Sequence, residues 1–451
     1  MTAEERIRIF EDIPVGEAVR RQILPAVISQ MIALIYNLAD TYFVGLLNAP
    51  AETAAVTVAY APFLMLTAIA NLFGVGGAGA LSRALGGHDD RAAGKISSLS
   101  FWLGLLTAAA YSALFCLLSS PFLHLVGATG ETLSAAAGYT RWVILVGGVP
   151  SALNVLLANL VRAEGNAKPA SFGVSFGGVL NILLDPLLIL PQFAGLGAVG
   201  AGLATALSNF ASMLYLLRYV LRGKHRSVIM LSLRQLQDSG VHFRTILSIG
   251  VPSALQYALT VVAVAAQAKF VSQYPTQAVA ALGITKKLDQ LPLYFSIGVS
   301  AGLLPLLAYH HSSGNQKRRR AAFRIGVLVS FSFSCFCLIL YEAFAPKLSS
   351  LFIPDAATVQ YAAAFLRRMV TAMPMMSICY PMIIQFQAMK RTKESLICSA
   401  LRKGILDIPL LFVMDSLLPL YGLMWVQPIV DAISLIVCCL FHRRLKKQRF
   451  A

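Results

Sequence analysis

Charge is what this sequence has least of. Of its 451 residues only 13% are Asp, Glu, Lys or Arg, against about a quarter in soluble chains, while 57% are hydrophobic. So few charges cannot cover a protein of this size in water, which excludes a string of ordinary soluble domains and leaves a chain that hides most of its surface in lipid. Acid is scarcer than base: 20 Asp and Glu stand against 37 Lys and Arg, a formal net charge of +17. In a soluble protein that excess would suggest nucleic acid, so the location of the basic residues has to decide. Cysteine and histidine are thin too, seven of each. Cys116, Cys335, Cys337, Cys379, Cys398, Cys438 and Cys439 all fall in apolar stretches without ligand-like spacing, so neither disulfides nor a structural metal is expected. The N-terminal tail, with Glu4, Glu5, Glu11 and Asp12, is too acidic for a cleavable signal peptide.

Long apolar runs are abundant. Crossing about 30 Å of hydrocarbon takes roughly 20 residues, and twelve stretches qualify: 20–44, 55–82, 98–118, 138–160, 170–191, 197–217, 245–271, 279–309, 323–344, 360–388, 396–415 and 422–441. Unpaired backbone groups are costly in lipid, and a β-barrel would alternate in segments of about ten residues, so the chain is expected to be all-α. Thirty basic residues lie in the two tails and the even-numbered loops, including five from Lys390 to Lys403, while the odd-numbered loops hold only Lys347. Such a bias places both termini in the cytoplasm and makes the span count even.

The chain also repeats itself. An offset of 227 aligns Pro25 with Pro252, Phe43 with Phe270, Gly87 with Gly314 and Arg91 with Arg318. Six spans on either side of a basic segment give parallel repeats: a first lobe at 1–217, a linker at 218–244 and a second lobe at 245–451. Two like-oriented lobes around a cleft suit alternating access.

Polar residues inside spans are expensive and therefore suggestive of function. In the first span Tyr36, Asn37 and Asp40 fall within one turn. Asn181 and Asp185 share a face of the fifth, followed by Pro186, expected to bend or unwind the helix locally; Thr205 and Asn209 share one of the sixth; Asn154 and Asn159 lie in the fourth. Carboxylate, amide and hydroxyl oxygens together suit a hard cation such as Na⁺, and a buried carboxylate suits a proton; helix-to-helix hydrogen bonding is the structural alternative. In the second half Asp40 aligns with Gln267, and no Asn-x-x-x-Asp recurs, which confines the expected ion chemistry to the first lobe. Gln256, Tyr257 and Gln267 are candidates for a substrate cleft. Lys286 and Lys287 are expected to snorkel, and Asp407 and Asp431 lie deep enough either to act or to pair with Arg402 or Lys403. Gly74-x-Gly76-x-x-Gly79 and Gly195-x-Gly197-x-x-Gly200 fit a dinucleotide fingerprint only in letters, with no strand before them; close helix packing is expected of both. The run Lys317 to Arg320 reads as a topology anchor beside anionic lipid.

Three stretches carry a family resemblance: Pro25 to Gly45, Arg162-Ala-Glu-Gly-Asn-Ala-Lys, and Asn181-Ile-Leu-Leu-Asp-Pro. They resemble the multidrug and toxic compound extrusion (MATE) family over nearly the whole chain. The seventh span offers Gln256 and Gln267 and the tenth has no acid, where some members carry acids, so the chain looks most like the DinF-like and MepA-like branch. The resemblance implies an antiporter that exports organic, often cationic or lipophilic compounds against H⁺ or Na⁺. It implies a cation or proton site at Asp40, Asn181, Asp185 and Thr205, with Asn154 matching a further family residue, and a first helix that bends at Pro25. The expected partners are small organic substrates and the bilayer, without nucleic acid or a bound cofactor, in a monomer of a bacterial inner membrane. A lipid-linked oligosaccharide flippase of the same superfamily is the alternative; a membrane-embedded enzyme lacks a nucleophile, base or metal set at depth.

Overall fold

A computed structural model describes residues 2–125, 130–223, 227–353 and 355–447. Three of the thirty basic residues counted above, Lys224, Arg226 and Arg449, lie outside them. Among the described residues there is helix and turn and no strand, as expected where only a helix can satisfy its own backbone in lipid. The spans, in order, are Val15–Gly45, Pro50–Gly86, Asp90–Leu125, Gly130–Thr140 continued by Arg141–Val146 and Gly148–Ala163, Ala167–Ile189 and Gly197–Arg222. The second set is Gly240–Val271, Thr276–Ser312, Gln316–Ser350, Ala356–Met369 continued through Met373–Ala388, Thr392–Ala400 with Asp407–Leu417, and Gly422–Lys447. All twelve rods fall where the apolar runs are, and most extend several residues past them. Leu117, Ile339 and Leu183, 81%, 68% and 60% exposed, point outward, where lipid replaces water.

Two spans are not single rods. The fourth bends by 49° at Gly147, just past a π-helical turn at Arg141–Val146. The eleventh, expected as one helix over 396–415, is interrupted where Lys403 and Gly404 leave helical φ/ψ. Gly404 sits at φ +118°, a conformation that L side chains resist. Pro25 and Pro186 lie inside continuous helix, so the fifth span is not unwound at Pro186, which falls in its last turn.

Each set of six packs into a bundle, and the bundles meet along two seams: first span on eighth, and second on seventh. Under the 227-residue offset these seams exchange, as parallel repeats about an axis along the membrane normal require. Glycine makes them tight. A Cβ on Gly250 would lie 1.9 Å from the Leu72 carbonyl oxygen, and one on Gly86 2.3 Å from that of Tyr309. These contacts lie in the half nearer the basic loops, here called the basic face. Toward the opposite face Gly45 and Gly283 have nothing within 4 Å, so the tight glycine contacts of the two seams lie at the basic face. Gly76 and Gly79 belong to this seam, pressed on Ile246 and Ile249, so the first glycine motif is packing. The second is mostly a turn: Gly195 and Gly197 have φ of +63° and +58°, and Gly200 alone is held against a neighbouring backbone, at Leu188.

The N-terminal segment closes the seal. Its residues 3–12 cross the basic face, where Arg6 pairs with Asp90 of the first bundle at 2.9 Å. Phe10, fully buried, stacks on Tyr309 of the second at 4.4 Å. Arg318 donates to the Ile13 carbonyl at 2.6 Å. The segment between the bundles is also docked, with helix extending into it from both ends. Met230 bonds Ser97 and Ser98, Trp102 donates to the Leu231 carbonyl, and Glu164 accepts from Ser227 and the Val228 amide.

Candidate functional site

The outer half of the first bundle gathers its acids. Asp40, near the end of the first span, is 8% exposed, and Asp185, near the end of the fifth, is fully buried. Asn181 donates to Asp185 at 3.3 Å and also reaches the Thr205 hydroxyl of the sixth span at 3.5 Å. Tyr36 lies one turn before Asp40 and is in electrostatic reach of both aspartates; Gly178 of the fifth span leaves room for its ring. Asn154 stands apart: it bonds Asn209 at 3.0 Å and Ser212 at 2.7 Å, and neither aspartate. Asn209 in turn donates to the Thr205 backbone, so Asn154 braces the helix that carries Thr205.

Tyr139 was not anticipated. It sits two residues before the π-helical turn of the fourth span, and its hydroxyl donates to Asp40 at 3.5 Å. Nothing in its spacing singles it out, because the bend of the fourth span brings it in.

The site is short of donors. Asp40 Oδ1, Asn181 Oδ1 and Asp185 Oδ2 are buried without a hydrogen-bond partner. None of the ion pairs among the described residues includes either aspartate. Buried acceptors without donors are costly, and three of them converging from two helices suit a guest that is itself positive, a proton or a small hard cation. With Thr205 Oγ1 the set offers oxygen ligands only, which fits Na⁺.

Between the bundles stands a group of tyrosines from both sides. Tyr294 of the eighth span is in electrostatic reach of Tyr36 and Tyr60 from the first bundle and Tyr257 and Tyr380 from the second. Of the three expected cleft residues Tyr257 belongs to it, while Gln267 is 7% exposed and donates to the Leu423 carbonyl at 3.3 Å inside the second bundle.

The second bundle is more charged than its sequence suggested. Arg402 and Asp431 pair at 3.0 Å, each 1% exposed, and the guanidinium lies 4.2 Å from the Tyr380 ring. Lys403 donates to Gln427 at 2.7 Å, and Gln427 to Asp431 at 3.0 Å. The break in the eleventh span turns the Gly404 amide onto Asp407 at 2.6 Å. Arg402 and Lys403, counted above among interface anchors, are therefore interior groups. Lys286, expected to snorkel, is in electrostatic reach of Asp289, Asp407 and Asp431 as well as of Lys403. Three cations and three carboxylates make the network neutral overall.

The model of the MatE family matches residues 25–187 and 252–413, two segments that begin as far apart as the repeat offset. The chain is 28% identical over 445 residues to the Multidrug export protein MepA of Staphylococcus saprophyticus subsp. saprophyticus, covering 99% of this chain and 97% of that one. It is 28% identical over 449 residues to the protein of the same name from Staphylococcus aureus strain MRSA252, with the same coverage. Its fold superimposes on a structure described as the outward-facing conformation of a MATE family transporter of the MOP superfamily, with a TM-score of 0.91, 24% identity and 98% of each chain. A MOP superfamily transporter from Pyrococcus furiosus, described by a binding pocket of reverse polarity, gives 0.90, 23% and 98% of each chain.

Proposed function

Because the chain belongs to the MatE family, we propose that it exports organic compounds, cationic or lipophilic, in exchange for H⁺ or Na⁺ by alternating access. It is a multidrug efflux transporter of that family, and the donor-poor oxygen cluster of Asp40, Asn181, Asp185 and Thr205 carries the reading of how it is driven. Two carboxylates in one dehydrated pocket call for compensating positive charge, and a proton or Na⁺ supplies it. The tyrosine group offers flat, electron-rich faces to an organic cation.

Binding of the ion alters the charge beside Tyr36 and the packing of the first span on the fifth. Pro25 has no N–H, so the carbonyl of Arg21 already lacks its helical donor, and bending there sacrifices one hydrogen bond fewer. A bend displaces the first span from the eighth, one of the two seams, and shifts the balance between arrangements open to either side. A flippase for a pyrophosphate-linked lipid would call for net positive charge in the cleft, whereas Lys286, Arg402 and Lys403 are matched by Asp289, Asp407 and Asp431. The basic residues of the two tails and the even-numbered loops, twenty-eight once Arg402 and Lys403 are set aside, support a bacterial inner-membrane location with both termini inside.

The test is efflux of a lipophilic cationic dye from proteoliposomes under H⁺ and Na⁺ gradients imposed separately. One gradient should drive the wild-type protein, and Asp40→Asn should abolish that efflux while leaving a folded monomer in size-exclusion chromatography. Undiminished efflux by the variant overturns the proposal.

A further inference from the structure

At the basic face of the second bundle lies a cavity of about 500 Å³, bounded by the eighth, ninth, tenth and twelfth spans and the turn into the eleventh. Its rim carries Arg319, Arg320, Arg324 and Arg391 together with His311 and His442, and no Asp or Glu is among the described residues that line it. Phe323, Met389 and Leu445 add an apolar floor. That volume is within the range of small-molecule sites, and it is far from the tyrosine group and the aspartates.

A topology anchor needs only basic residues in water. Here Arg319 is built in, beside the exposed Arg320, Arg324 and Arg391. Arg319 is 6% exposed, its Nε donating to Gln316 at 2.8 Å and its Nη1 to Gln385 at 3.3 Å. Gln385 also meets the His442 ring at 2.9 Å, and that ring stacks on Phe323. Arg320 and Arg324 share a helix face at i and i+4, a spacing at which like charges repel. Arg391 has Glu394 at 3.8 Å, outside the cavity lining. Crowded guanidinium groups around an apolar floor complement one kind of guest: a phosphodiester, whose oxygens take arginine forks, attached to an apolar stem.

We propose that this cavity binds the headgroup of an anionic phospholipid, with the phosphate among Arg319, Arg320 and Arg324 and the glycerol end on Phe323 and Leu445. Basic recesses between membrane helices recognise headgroups in this way. A lipid seated there holds the eighth, ninth and twelfth spans together at the face where the two bundles close.

The experiment uses the full chain in detergent, with thermal stability followed as phosphatidylglycerol, phosphatidylcholine or inorganic phosphate is added. Phosphatidylglycerol should raise the transition temperature saturably at concentrations where phosphatidylcholine and phosphate do not. The variant Arg320→Gln/Arg324→Gln should bind it about 25-fold more weakly, from about fivefold per basic residue. Arg218→Gln/Arg222→Gln removes the same charge from the basic face of the first bundle and should leave the affinity unchanged. Equal weakening in both variants, equal effects of the two lipids, or a phosphate effect matching that of phosphatidylglycerol would each overturn the proposal.

Discussion

Tyr139 gives Asp40 its one side-chain hydrogen bond among the described residues, so it is the residue whose loss says most about the aspartate. Tyr139→Phe keeps the ring and removes the donor; a hydrogen bond to a charged group is generally worth about 1.5–3 kcal/mol. The expected outcome is at least a tenfold change in the ion concentration that half-saturates efflux, with the KM for the dye much less affected. On the other side of the cleft, Arg402 and Asp431 are a buried pair, and removing one partner strands the other. Arg402→Met should cost about 3–5 kcal/mol, read as a fall in the transition temperature, and a second change, Asp431→Leu, should recover part of it. The first-bundle acids were legible in the sequence because an Asp at membrane depth has few excuses. Tyr139 was not, since tyrosine is at home in a span and only the fold brings it to Asp40. Arg402 and Lys403 were misplaced for a related reason: a basic residue near a span end reads as an anchor until the helix is known to break there.

At the scale of elements, apolar length gave all twelve crossings, and what it could not give was their continuity. The break at Gly404 depends on a positive φ, and no periodicity records that. The seams were half visible, as glycine rows without a partner; which span faces them follows only from the assembled bundles. Gly250 is the sharpest case, since the structure leaves no room for a side chain against Leu72. Gly250→Ala should pry the seventh span from the second and favour the arrangement open at the basic face. In a variant without the seven native cysteines, a thiol placed at Thr260 should then be alkylated several-fold faster by a membrane-impermeant maleimide added from the basic side. An unchanged rate would mean that the seam tolerates the methyl group.

For the whole molecule, composition and the placement of the basic residues in the tails and even-numbered loops argue for a single orientation. Fusions of a fluorescent protein that matures only in the cytoplasm should be bright at either terminus, and a dark fusion at one end would contradict an even number of crossings. The internal offset of 227 residues reappears in the fold as the exchange of the two seams, which is why the repeat predicted the architecture so well. The pairing of Asp40 with Gln267 already set the halves apart in chemistry; what the repeat did not predict is the neutralised network of the second half. The repeat preserves backbone paths, and the side chains that line the cleft diverged upon them.

The N-terminal segment gives this architecture a practical consequence. Phe10 on Tyr309 and Arg6 on Asp90 join opposite bundles across the basic face, so the alternating access proposed above requires that opening there part at least one of these contacts. Under that proposal the first dozen residues are a clasp whose state follows the transport cycle. A fluorophore attached there would report opening in real time, and a tag placed at that end by habit would be fastened to a moving part.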